Sequence, residues 1–122
     1  MPVTGIGGFF FRAQDPRGLA AWYLTHLGVG APEKAFLWDQ QAGPTVFSPF
    51  PERSDYFEAR RRWMLNLRVD GLDDLMASLR AAGIDVITKP EWDSMPEIGR
   101  FARIHDPEGN PIELWEPATG PA

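Results

Sequence analysis

A chain of 122 residues is long enough for one domain with a buried core and too short for a second. Its formal net charge of -5 argues against nucleic acid or an anionic membrane as principal partner, and the lack of cysteine excludes disulfides, thiolate nucleophiles and Cys-ligated zinc. No stretch approaches the roughly 20 apolar residues of a membrane span, and Met1 to Phe11 lacks the basic lead and small-residue cleavage site of a secretory signal, so a cytoplasmic protein is expected.

The first predicted element is a strand at Gly8-Phe9-Phe10-Phe11-Arg12. A helix follows, because Leu19, Trp22, Tyr23, His26 and Leu27 fall on one helical face. Asp15 with Pro16 behind it suits the helix start, and Gly28 suits a left-handed stop. Ala35 to Asp39 and Thr45 to Ser48 read as a hairpin across Gln40 to Pro44. Pro49 to Arg62 breaks the pattern and reads as a linker, with Arg60-Arg61-Arg62 as a solvated face.

The unit then recurs. Met64 to Asp70 is a strand, and Leu72, Leu75, Met76 and Leu79 make the next helical stripe. Asp70 can cap this helix and Gly83 can stop it. The interval from Arg68 to Gly83 equals that from Arg12 to Gly28 within one residue. Val86 to Thr88 is a short strand. Lys89 to Gly99 carries Pro90, Trp92, Met95 and Pro96, so it is either a packed loop or a flap, with packing favoured. Arg100 to His105 and Pro111 to Glu116 flank a Pro- and Gly-bearing turn at Asp106-Pro107-Glu108-Gly109-Asn110, which predicts a hairpin.

The segment Phe101 to Glu116, with that turn at its centre, resembles the C-terminal signature of the vicinal oxygen chelate superfamily, the glyoxalase, bleomycin-resistance and dioxygenase relatives. Phe10 to Gly28 resembles the family's first strand and helix, and Leu67 to Leu75 the start of its second module. The resemblance implies an α+β fold of two βαβββ modules forming a curved, mostly antiparallel eight-stranded sheet. The expected layout is a single domain over 1–122, with module one at about 1–50, the linker at about 51–62 and module two at about 63–118. The resemblance also implies a groove between facing modules and a homodimer.

Family chemistry usually rests on a divalent ion that holds two substrate oxygens. Carried onto this chain, the ligand positions are Gly8, Val46, Met64 and Glu113. Glycine, valine and methionine offer no hard donor, so the metal site is expected to be degenerate and no cofactor is expected; a divalent metal returns only if this mapping fails. His26 lies on the helix stripe and His105 at the hairpin mouth, and neither is read as a ligand.

Strand alternation places Glu113 and Trp115 on the face opposite Ile112 and Leu114. If the turn closes about Glu108, Arg103 stands directly across from Glu113, and Arg103 or another groove arginine is expected to neutralise it. The same alternation puts Gly8, Phe10 and Arg12, and Met64, Asn66 and Arg68, toward the groove. The candidate ligand-binding residues are Phe10, Arg12, Val46, Met64, Asn66, Arg68, Trp92, Phe101, Arg103 and Trp115.

Three functions fit these residues. The leading one is a binder of a small organic molecule in an apolar groove, without metal. The second is a lyase or isomerase of glyoxalase type, with Glu113 as base or residual metal ligand. The third is a structural or regulatory dimer without a ligand. Nucleic-acid and membrane partners are not expected.

Overall fold

The computed structural model describes residues 2–118. Helix α1, Pro16–Leu27, starts and stops on the residues that the sequence nominates. Asp15 accepts a hydrogen bond from the Gly18 amide at 3.0 Å, and Pro16 stands where no amide is needed. Gly28 closes the helix with a φ of 67°.

Helix α2, Leu72–Ala81, is capped differently from expectation. Gly71, not Asp70, holds the N-cap position, with a φ of 79° and no side chain to offer. The carboxylate of Glu116 takes over, accepting from the Gly71 and Leu72 amides at 2.9 and 2.8 Å. An anion at a helix start satisfies orphan amides and complements the helix dipole.

Strands β1 (Leu65–Arg68), β2 (Gly99–His105) and β3 (Pro111–Pro117) form one sheet in the order β1-β3-β2. β1 runs parallel to β3, pairing Asn66 with Glu113 and Arg68 with Trp115. β2 runs antiparallel, pairing Arg103 with Glu113 and Phe101 with Trp115. The predicted register across the turn therefore holds.

One face of the sheet supplies Leu67, Ala102, Ile104, Ile112 and Leu114 to the core. They meet Leu72, Met76 and Leu79 of α2 and Leu19 and Tyr23 of α1. Each fully buried leucine or isoleucine here contributes about 1.5–3 kcal/mol. The β2–β3 turn is tied to this core through Asp106. Its carboxylate accepts from the Glu108 and Asn110 amides, the Asn110 side chain and the Tyr23 hydroxyl, the last at 2.8 Å.

The sheet is smaller than the eight strands expected: three are present among the described residues. Val86 to Thr88 contributes a single bridge, Ile87 to Arg103. The first half of the chain has helix α1 but, among the described residues, no strand ladder. Ala35 and Phe36 take left-handed conformations, so the strand expected at Ala35 to Asp39 begins instead in a turn closed by Phe36 N to Ala31 O. The segments at 8–12 and 45–48 have no strand partner, and Phe10 and Phe47 stand 93% and 86% exposed. Without a neighbouring strand, alternation alone fixes no inward face.

Candidate functional site

Two neighbouring features could carry function. The first is a cavity of about 1710 Å³ between the N-terminal part of the chain, residues 6–46, and the β1 side of the sheet. Phe9, Phe11 and Trp38 line it from module one, and Asn66, Arg68 and Trp115 from the sheet. Phe9 and Phe11 are fixed by edge contacts with Trp63 at 4.9 and 5.3 Å, and Phe11 also meets Tyr23 of α1 at 6.3 Å. Polar side chains, among them Asp39, Gln41, Asp70 and Glu116, complete the lining, and aromatic walls set with polar groups suit a small-molecule pocket.

The second feature is a buried polar cluster on the sheet face opposite the core. Glu113 lies at its centre and is 7% exposed. Asn66 donates to Glu113 Oε1 at 2.7 Å, and the Tyr56 hydroxyl donates to Oε2 at 2.5 Å. Burial, and next the Glu113 carboxylate, push the Tyr56 phenol up to about 12. Arg103, 6% exposed, lies against two rings that also meet each other, 5.0 Å from Tyr56 and 5.1 Å from Trp92. Its Nη2 donates to the Tyr56 carbonyl at 3.2 Å, and its buried Nε has no partner.

The expected Arg103–Glu113 neutralisation is thus corrected. The two are register partners, but among the described residues no ion pair within 4.0 Å joins them. Each is held by the inter-module segment instead. Tyr56 comes from that segment, and nothing in its spacing marks it; the aromatic pair Tyr56-Phe57 inside a charged stretch is the available hint. Arg61 also leaves the solvated face expected of it. It donates to the Glu108 carbonyl at 2.9 Å and to Asn110 Oδ1 at 3.3 Å, pinning the segment to the β2–β3 turn.

The sequence candidates divide accordingly. Val46, Asn66, Arg68 and Trp115 line the cavity. Glu113, Arg103 and Trp92 form the cluster, with Asn66 shared between the two features. Phe101 stacks parallel to Trp115 at 6.3 Å. Phe10 and Arg12 do not line the cavity; Phe9 and Phe11 take that side, because packing on Trp63 and Tyr23 decides which ring turns in. Arg12 borders a smaller cleft of about 390 Å³ beside Arg61. Met64 is half-buried and lines neither opening.

The cations near the cavity are already engaged. Arg68 donates to the carbonyls of Pro44 and Gln41, the latter at 2.7 Å, and so ties module one to β1. Arg100 pairs with Asp73 at 2.9 Å, which holds the Asp73 carboxyl below the usual carboxylate range. The loop at 89–99 is anchored by Asp93 Oδ1 accepting from the Phe101 amide at 2.9 Å and by Trp115 Nε1 donating to the Ile98 carbonyl at 2.9 Å.

A divalent ion does not fit this donor set. Among the described residues no three His, Asp or Glu side chains gather around one point. Val46 and Met64 bring no hard ligand, and both Glu113 oxygens already accept hydrogen bonds. No step through a metal follows from these residues.

An α+β sheet with a ligand-sized cavity on its flank and a carboxylate on the last strand defines a class of small binding and catalytic domains. Residues 8–115 match the family described as a glyoxalase-like domain, and the chain belongs to that family, within the vicinal oxygen chelate superfamily. Among solved structures it is similar to TnmS3, an antibiotic binding protein from Streptomyces sp. CB03234, at 25% identity and a TM-score of 0.60, over 97% of this chain and 99% of that chain. No curated protein matches. No helix among the described residues is long and apolar enough to cross a membrane.

Proposed function

We propose that this protein binds a small, largely apolar organic molecule in the cavity between module one and the sheet, and performs no chemistry on it. The observation that carries this reading is the aromatic wall of Phe9, Phe11, Trp38 and Trp115 around a space large enough for a sizeable ligand. The similarity to an antibiotic binding protein supports it. So does the chemistry of Glu113, which is buried under Tyr56 and committed to two donors, where a general base needs reach to a substrate proton. In this reading the family's metal site is degenerate, and the ligand contacts are Val46, Asn66, Arg68 and Trp115 together with Phe9, Phe11 and Trp38.

The same reading makes the protein a cytoplasmic homodimer. Phe10 and Phe47 stand exposed outside the cavity on segments without strand partners among the described residues, and a second copy would cover them. Light scattering at micromolar concentration is expected to give twice the monomer mass; a monomer refutes the dimer.

The function is tested by tryptophan fluorescence titration with a panel of polycyclic aromatic antibiotics. At least one compound is expected to bind with micromolar affinity, and Trp38→Ala is expected to weaken it about tenfold, as loss of about 1.4 kcal/mol does. If no compound perturbs the fluorescence and native mass spectrometry finds no copurified ligand, the binding reading fails.

A further inference from the structure

The cluster at Glu113 holds an arrangement that core packing does not explain. Arg103 and Glu113 are both more than nine-tenths buried on adjacent strands, yet they do not pair, and Arg103 Nε points at no acceptor. Burying a carboxylate and a guanidinium side by side without an ion pair forgoes the attraction that offsets their desolvation. What engages both is the side chain of Tyr56. Its hydroxyl donates to Glu113 Oε2, its ring lies against the Arg103 guanidinium, and the Trp92 ring meets it edge-on at 6.1 Å.

Tyr56 reaches this place from a segment without helix or strand. Its amide donates to Ser54 Oγ two residues back, and among the described residues its backbone tie to the sheet is the bond from Arg103 to its carbonyl. The cluster is also continuous with the ligand cavity. Asn66 lines the cavity and donates to Glu113 Oε1, so the carboxylate lies one side chain behind the cavity wall.

We propose that Tyr56 is an internal occupant of a ligand subsite formed by Glu113, Asn66, Arg103 and Trp92, and that a hydroxylated aromatic ring of the bound molecule takes its place. The ligand hydroxyl donates to Glu113 Oε2, the ring stacks on the Arg103 guanidinium, and an acceptor oxygen on the ring meets the unpartnered Arg103 Nε. The inference rests on the small-molecule reading and deepens it by naming the ligand class as phenols. Stacking on the guanidinium favours any aromatic ring, and the charge-assisted hydrogen bond to Glu113 selects phenols over plain aromatic hydrocarbons.

The test uses 4-methylphenol, which is the tyrosine side chain cut at Cβ, with toluene as the hydroxyl-free control. Affinities are measured by calorimetry for the unaltered protein, Tyr56→Phe and Tyr56→Ala. Tyr56→Ala is expected to bind 4-methylphenol at least tenfold more tightly than the unaltered protein does, and at least tenfold more tightly than it binds toluene. Adding Glu113→Ala to that variant is expected to erase the preference. Tyr56→Phe keeps the ring volume and removes the anchor, so it is expected to bind 4-methylphenol several-fold more tightly than the unaltered protein even if Tyr56→Ala does not fold.

A tyrosine with only a packing role gives another result: Tyr56→Phe is less stable and its affinity for 4-methylphenol is unchanged. That result overturns the proposal, as does equal affinity of Tyr56→Ala for 4-methylphenol and toluene. If aromatic antibiotics still bind the cavity in those variants, the subsite alone has failed. If they bind no variant at all, it is the cavity reading that has failed, and the 4-methylphenol comparison decides the subsite by itself.

Discussion

Arg103 and Glu113 face each other in register across β2 and β3, yet each turns its functional group to the segment before β1, Arg103 to the Tyr56 ring and carbonyl, Glu113 to the Tyr56 hydroxyl. One tyrosine therefore joins two strands that already share a ladder. It also covers the sheet face opposite the core.

Removing the Glu113 carboxylate should destabilise the fold. Glu113→Ala leaves the Tyr56 hydroxyl and the Asn66 amide without acceptors in a buried place, for a loss of about 3 kcal/mol. Glu113→Gln keeps one acceptor oxygen and should lose about half as much. Urea unfolding of both variants measures this, and a Glu113→Ala value within experimental error of the unaltered protein contradicts the cluster geometry.

The two tyrosines predict an alkaline limit. Tyr56 is pushed up to about 12, first by burial and then by Glu113, and Tyr23 is raised further by burial and by Asp106. A phenol whose folded value lies above its unfolded value near 10 stabilises the fold fully below 10. That contribution is lost as pH rises from about 10 to about 12. Absorbance at the phenolate band should show no ionisation at the ordinary value in the folded protein. The first step, near 12, should vanish in Tyr56→Phe. Ionisation of either tyrosine near 10 without unfolding would count against that tyrosine's hydrogen bond.

Asp106 should matter more than any other residue of the β2–β3 turn. Tyr23→Phe removes one of its four donors, at about 1.5–3 kcal/mol for a bond to a charged group. Asp106→Ala removes the acceptor of all four and should lose at least twice as much. Thermal unfolding of the pair gives the ratio; equal losses would mean that the turn holds its shape without the carboxylate.

Glu116 should act as the cap of α2 although it lies on β3. Glu116→Ala should lose about 1 kcal/mol, the ordinary effect of losing a helix cap, while Asp70→Ala should lose little. The reverse order in denaturant melts would restore Asp70 as the cap.

Much of the fold was legible along the chain. The stripe from Leu19 to Tyr23, the Asp15 and Gly28 boundaries, and the turn that pairs Arg103 with Glu113 all depend on neighbours within a few residues, where helical and strand periodicity dominate. The cavity was legible only in part. Alternation on strands that do form turns Asn66, Arg68 and Trp115 toward the cavity. The same rule turns Phe10 inward on a segment that has no ladder, where contacts with Trp63 and Tyr23 set the orientation of Phe11 instead.

By itself the sequence determined the two helices, the β2–β3 hairpin with its register and the apolar face of β3. These are properties of residue type and short spacing. Only the tertiary structure decided that Glu116 caps a distant helix, that Asp106 gathers Tyr23 and the turn, and that Tyr56 covers Glu113. Each of those contacts closes a loop of tens of residues, and no local period records which buried polar group will meet which donor once the chain has collapsed.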